Sequence, residues 1–438
     1  MSCRCRLNPP QAAFIVYWLT ALLMLAASAL AQVTAIRAGR LIDPATGTVR
    51  QNQVLLIEAG KIKQVGADLP IPTGASVVDL SHETVLPGLF DCHTHLCLTM
   101  APPRGPSDRE FYEALLMTIT TNSTAYRALQ GAANARAMLD AGFTTVRDVG
   151  NAGSYADTDL RRAVEEGLLP GPTIVNAGRI IAPFGGQIAL VLTPEHHDRN
   201  NAEYFYADTR DELKKAVREN ILYGAKLIKI VVDDEPYIYS VEDIRLVVEE
   251  AAKAGLKVAA HGYTRAGARN AIEAGVASVE HGYDLTDEDL LQAKKNGVTL
   301  VGTDRSEVVY HTLQVPPETQ AKRLDRLQRA WRMGVPMAFG TDIYFDVPGY
   351  TRGTAALTSL ECYVKAGIPA PAILRMMTTD AARLLGIEGE RGGVSPGMYA
   401  DLIATPGDPL SDILALQHVD CVMKNGVVIR QGPAASHH

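Results

Sequence analysis

A chain of 438 residues, 47% hydrophobic and 21% charged, has an ordinary globular composition and exceeds the size at which one compact core stops growing, so a large domain with a smaller companion is expected. A formal charge of −7 offers no basic surface and argues against nucleic acid as a partner. Six cysteines are too sparse for a disulfide scaffold.

In residues 1–31, Arg4 and Arg6 precede the apolar run FIVYWLTALLMLAASAL, and Ala29-Leu30-Ala31 supplies the small-x-small pattern of a signal-peptidase site. This reads as a cleaved export signal, leaving a periplasmic or secreted protein with no membrane contact. An uncleaved anchor is the competing reading, but the run is near the lower limit for a spanning helix. Cleavage removes two arginines and no acids, so 40 basic residues face 49 acidic ones and the formal charge becomes −9. Cys92, Cys97, Cys362 and Cys421 remain, from which an exported protein could form one bridge.

Residues 32–86 are strand-like. VTAIRAGRLID is followed by the turn-rich PATGTV, and in QVLLIEAGKIKQVG a glycine–lysine turn joins two alternating runs as in a hairpin. Residues 393–432 repeat the style, with Asn425-Gly426 as a strong hairpin signal, and 433–438 form a tail. Two strand-rich ends suggest one small β domain built from both termini.

Between them, residues 87–392 change rhythm. Eight short β-branched runs alternate with amphipathic helical stretches: TVLPGLFDCHTH, FTTVRDVG, TIVNAGRII, AKLIKIVV, LKVAAHG, VASVEHG, VTLVGT and VPMAFGTD. Intervening segments such as TRDELKKAVRENILYG and SVEDIRLVVEEAAKAG begin on cap-type residues and end near glycine. Alternating β and α units argue for a parallel sheet, and eight of them for a closed (β/α)8 TIM barrel; a doubly wound open sheet is the runner-up.

Polar residues fall where that barrel carries its chemistry, at the C-terminal strand ends. His93 and His95 end the first run, Lys229 lies within the fourth, His261 ends the fifth, His281 the sixth and Asp342 the eighth. A spacing of two puts His93 and His95 on one side of an extended strand, so both imidazoles can reach one ion. Each residue alone has a blander reading. A lone histidine at a strand end is more often a satisfied hydrogen-bonding group, a lysine in LIKIVV can lean outward, and Asp342 can cap the next segment. The joint pattern outweighs these. Cys92 alternates with the histidines and should point away into packing, while Arg147 and Asp148 are expected to pair beneath the site.

VLPGLFDCHTHL, FTTVRDVG, IKI, AAHG, VEHG and FGTD, in this order between two halves of a β domain, resemble the amidohydrolase superfamily over residues 33 to 432. The chain is similar in particular to the branch of Xaa-Pro and other Xaa-amino-acid dipeptidases and of enzymes that hydrolyse N-acyl amino acids. The resemblance implies a barrel joined to a β-sandwich domain from both termini and a site for two divalent metals, most often zinc. It implies that His93, His95 and Asp342 bind the more buried metal, that His261 and His281 bind the other, and that Lys229 bridges them as a carbamate. It further implies that a metal-bridged hydroxide attacks the amide carbonyl while Asp342, the catalytic proton carrier, serves the leaving nitrogen. Tyr263 in HGYT resembles a tyrosine that meets the substrate carboxylate, with Arg265 as a weaker candidate. Gln187, in FGGQ, stands where relatives often carry histidine; its amide can donate to a carbonyl but cannot carry a proton charge. The expected partner is a small amide or dipeptide, and self-association into a homo-oligomer is compatible with this reading. A lactonase, esterase or phosphotriesterase on the same metals, or a catalytically silent binding protein, are the alternatives.

Overall fold

The computed structural model describes residues 33–432 except 104, 106, 188–192, 194, 197–201 and 234–236; the export signal expected at 1–31 and the tail lie outside the described residues. Alternating apolar residues near the N-terminus form β1 (Thr34–Asp43), β2 (Thr48–Glu58), β3 (Lys61–Gly66) and β4 (Ser76–Pro87). Along the middle of the chain follow β5 (Leu89–Thr94), β6 (Phe143–Asp148), β7 (Thr173–Asn176), β8 (Ile180–Ala182), β9 (Tyr204–Tyr206), β10 (Ile228–Val231), β11 (Val258–Gly262), β12 (Ser278–His281) and β13 (Thr299–Val301). The chain ends with β14 (Leu402–Thr405), β15 (Cys421–Lys424) and β16 (Val427–Gln431).

Strands from both ends share one seven-stranded sheet, ordered β16-β15-β14-β4-β1-β2-β3, with β14 antiparallel to β4. Asn425 and Gly426, between β15 and β16, both have positive φ (48° and 77°), the geometry that an Asn-Gly hairpin requires. The sheet curls over its own core of Ile36, Leu41, Leu55, Ile57, Leu402 and Met423. Its far edge returns to the C-terminal segment through Ile62 N–H to Met398 O (2.9 Å) and Gly397 N–H to Ile62 O (2.8 Å).

The middle of the chain is α/β. Parallel strands form a six-stranded sheet, β13-β12-β11-β10-β8-β9, and a three-stranded sheet, β5-β6-β7. The two helices anticipated from TRDELKKAVRENILYG and SVEDIRLVVEEAAKAG span Arg210–Leu222 and Val241–Ala252, capped by the side chains of Thr209 and Ser240. Among the described residues no helix is long and apolar enough to cross a membrane. The four cysteines beyond residue 31 are buried and free, so none forms the bridge that export would permit.

Two predicted runs differ from simple strands. TIVNAGRII splits into β7 and β8 because a turn at 177–179 intervenes, where the Gly178 N–H donates to Asp157 Oδ2 (2.7 Å) and the Arg179 N–H to Asn220 Oδ1 (3.0 Å). The eighth run, 335–342, makes a single bridge, Leu300 to Met337, rather than a ladder, since Pro336 has no N–H to donate. Its backbone nevertheless bonds to both neighbours. Leu300 N–H donates to Pro336 O (2.8 Å) and Ala338 N–H to Leu300 O (3.2 Å), while on the other side Cys92 N–H donates to Phe339 O (2.8 Å) and Asp342 N–H to His93 O (2.8 Å).

That run packs against β5 with no room for a side chain at residue 340. A Cβ on Gly340 would lie 2.5 Å from Val301 Cγ1 and 2.9 Å from His93 Cβ. Gly340→Ala is therefore expected to destabilise the fold by about 1–3 kcal/mol through overpacking. Denaturant titration measures it, and an unchanged midpoint would contradict the close approach.

Candidate metal centre

The strand ends place their side chains in register. On paired parallel strands Val231 faces His261 and Gly262 faces His281, with Lys229 two residues below Val231. All six residues of β5 are buried. Alternation turns His93 and His95 into the cleft, while Cys92 joins a packed cluster with Phe90, Val301 and Ala338, as expected.

Each of three histidines is held by its Nδ1. His93 Nδ1 meets Glu280 Oε2 at 2.7 Å, His95 Nδ1 donates to Gly150 O at 2.8 Å, and His281 Nδ1 lies 2.9 Å from Thr303 Oγ1. An imidazole anchored in this way presents its other nitrogen as a ligand. Asp342 Oδ1 lies 3.3 Å from His95 Nε2 and 3.6 Å from His93 Nε2, and ligand atoms of the three residues all lie within 4.8 Å of one another. Two ligands about 2.05 Å from one tetrahedral ion are roughly 3.4 Å apart, so this spacing fits a divalent metal. The His261 ring stands 4.5 Å from that of His281, centroid to centroid, with Gln187 Nε2 at 3.1 Å from its Nδ1. Lys229, 2% exposed, lines the same cleft.

Electrostatics suit ligation. Burial, followed by the Lys229 charge, lowers the His93 pKa to about 3, and burial together with His261 and His93 holds His281 well below the usual range. Neutral imidazole is the form that binds metal. Burial raises Glu280, but Arg147 overcomes it and brings the carboxyl down to about 2. At Asp342 burial is likewise outweighed, chiefly by Arg305, leaving the acid below the ordinary carboxylate range.

All eight residues singled out in the sequence, His93, His95, Lys229, His261, His281, Asp342, Tyr263 and Gln187, line one cleft. The Tyr263 ring packs against His261 and His281 at centroid distances of 4.2 and 4.6 Å. Two expectations are corrected. Arg147 does not pair with Asp148, because adjacent strand residues face opposite ways; its Nη2 grips Glu280 at 2.7 and 2.8 Å, and Asp148 accepts backbone N–H groups of Leu96 and Gly150. Arg265 lies outside the cleft, bound to Asp289 at 2.8 Å beside a helix start that draws acids together.

Three contributors were not anticipated. Glu280 sits beside His281 in VEHG, where an acid inside a buried strand was the available signal. Arg305 Nη2 donates to Asp342 Oδ2 at 2.6 Å and to its carbonyl at 2.6 Å. Phe111, Tyr112 and Tyr344 give the cleft an aromatic wall that no motif marks.

An amidohydrolase family model matches residues 84–429. The chain is 29% identical to the ochratoxinase of Aspergillus niger, over 94% of this chain and 89% of that protein, and 28% identical to the imidazolonepropionase of Paracoccus denitrificans, over 81% and 88%. It also superposes on a solved Xaa-Pro dipeptidase with methionine bound in its active site, at TM-score 0.79 and 29% identity, over 91% of this chain and 100% of that one.

Glu280 carries both a buried arginine and a candidate ligand. Glu280→Gln should cost about 3–5 kcal/mol by stranding Arg147, and weaken metal binding about 10–100-fold by loosening His93. Denaturant melts and elemental analysis read the two effects; normal values of both would remove Glu280 from its supporting role.

Proposed function

The chain belongs to the amidohydrolase family and is a metal-dependent amide hydrolase; from that premise we propose that it cleaves dipeptides or N-acyl amino acids. The observation that carries this reading is the convergence of four buried imidazoles, Lys229 and Asp342 on one cleft. In it His93, His95 and Asp342 would hold one divalent ion and His261 and His281 a second, and Lys229, as a carbamate formed by its neutral amine with carbon dioxide, would offer anionic oxygens as further ligands. Imidazole and carboxylate donors suit zinc. Such ions acidify water and polarise an amide carbonyl.

The chain's own groups do the rest. A carbamate at Lys229 removes the cost of a buried ammonium, since the nitrogen is neutral and the charge lies on oxygens facing cations. Asp342 takes the proton of the attacking water and hands it to the departing nitrogen, which cannot leave readily as an anion. Arg305, bonded to the Oδ2 oxygen, holds this carboxyl in place for the transfer. Gln187 donates toward the substrate carbonyl and Tyr263 toward its carboxylate. The methionine in the related dipeptidase structure, an amino acid, supports a leaving group of that class. The proposal also takes the two parallel sheets and residues 335–342 as one (β/α)8 barrel, supported by the backbone bonds on either side of that run. It keeps the protein exported and processed after residue 31.

Release of amino acids from a panel of dipeptides and N-acyl amino acids by metal-loaded protein tests the reading; turnover confined to lactones or phosphotriesters would sink it. Lys229→Ala should abolish turnover and lower metal content, with partial rescue by a short carboxylic acid, and unchanged activity would reject its bridging role. Asp342→Asn should cut kcat by about 100–10,000-fold with little effect on substrate affinity. Stopped-flow and steady-state kinetics separate these, and an unaltered kcat would exclude Asp342 from proton transfer.

A further inference from the structure

We propose that Arg323 receives the substrate's carboxylate, in a side cavity adjoining the catalytic cleft; this rests on the reading that the substrate is a dipeptide or N-acyl amino acid. Arg323 lies on the helix Pro317–Met333. Its guanidinium carbon stands 4.0 Å from the centroid of the Tyr283 ring and 5.5 Å from that of Tyr310. Stacking of this kind fixes the plane of the guanidinium and leaves its donor edge for a ligand.

Two of its donors lack an acceptor among the described residues. Arg323 Nε and Nη1 are buried without hydrogen-bond partners. The acids nearby are already engaged: Asp304 is held by Arg326 at 2.9 and 3.2 Å, and Asp342 by Arg305 at 2.6 Å. A guanidinium with buried spare donors is costly, and a carboxylate accepting from one of them is the group that relieves it.

The cavity and the cleft adjoin. Arg323 and Arg305 line the side cavity together with Phe111, Tyr263 and Tyr344, and these three aromatic residues also line the cleft. A substrate with its amide among the metal ligands and its carboxylate beyond Tyr263 therefore reaches Arg323 along an aromatic wall. Since Arg305 is neutralised by Asp342, Arg323 brings an uncompensated positive charge among the described residues that line this cavity.

The test uses the full, metal-loaded protein with N-acetyl-L-methionine and its carboxamide, followed by turnover and by calorimetric binding. Arg323→Met should weaken kcat/KM and affinity for the acid about 30-fold, chiefly through KM, and leave the carboxamide within about twofold. Arg323→Lys should retain part of the preference, and methylguanidinium should restore part of what Arg323→Met loses. An acid-to-carboxamide ratio unchanged by Arg323→Met, or an equal loss on both compounds in both variants, overturns the proposal. If the wild-type protein cleaves neither compound yet binds the acid in an Arg323-dependent way, the carboxylate site stands and the assignment of substrate class falls. Absence of any such binding rejects the site itself.

Discussion

A carboxylate sealed from water stays ionised only where cations or hydrogen-bond donors answer its charge, and for Glu280 and Asp342 two arginines supply the answer. Glu280 is fully buried and lies between Arg147 and His93, so one acid neutralises a guanidinium and orients an imidazole at once. Asp342 is treated alike by Arg305. Each of these two acids is thereby kept ionised by a fixed neighbour, while His93 and His281 are kept neutral chiefly by burial. Arg147 further ties three strands together, bonding to the Cys92 carbonyl on β5 and to Ser278 and Glu280 on β12 from its own place on β6. The same contact that sets charge at the site thus sets strand spacing beneath it.

What the sequence exposed and what it hid separate along physical lines. His93 and His95 were legible because strand alternation is local, and His261, His281, Lys229 and Asp342 because the count of β runs fixes where strand ends fall. Glu280 and Arg305 were not, since the pairs that give them meaning span 133 and 37 residues. The expected Arg147 to Asp148 pairing failed for the reason that made the histidines readable: neighbours on a strand face opposite ways. The eighth run looked like a strand by composition, yet Pro336 and the tight seat of Gly340 give it backbone bonds without a ladder. The aromatic wall from Phe111 and Tyr112 was invisible because helical periodicity shows which face is apolar, not which neighbour it meets.

Backbone strain concentrates where strands end. His281, Thr303 and Asp342 are non-glycine residues with φ of 66°, 50° and 56°. Left-handed conformations of such residues cost about 1–3 kcal/mol each and persist only where the surroundings over-determine them. Here they are pinned: Asp342 by its N–H on His93 O and by Arg305, His281 by Thr303 Oγ1, and Thr303 by a further contact from Tyr283 at 2.8 Å. A regular strand would continue to point alternate side chains across the sheet. The turn into left-handed backbone leaves His281 and Asp342 lining the cleft that His93 and His95 also line.

Chemistry and recognition consequently rest on different parts of the chain. The metal-type ligands belong to strands and their strained ends, which are buried and locked by ion pairs, whereas Phe111 and Tyr112 come from the helix Asp108–Thr121, Arg323 from the helix Pro317–Met333 and Tyr344 from the segment after residue 342. Changes in the recognition elements can reshape the cavity without moving Glu280, Arg147 or Arg305, because among the described residues the side-chain hydrogen bonds of these three do not reach those helices. A fold arranged in this way can vary the helix residues that face the substrate while holding the positions of its ligands, since the bonds of Glu280, Arg147 and Arg305 that preserve the ligand geometry run to strands and loops.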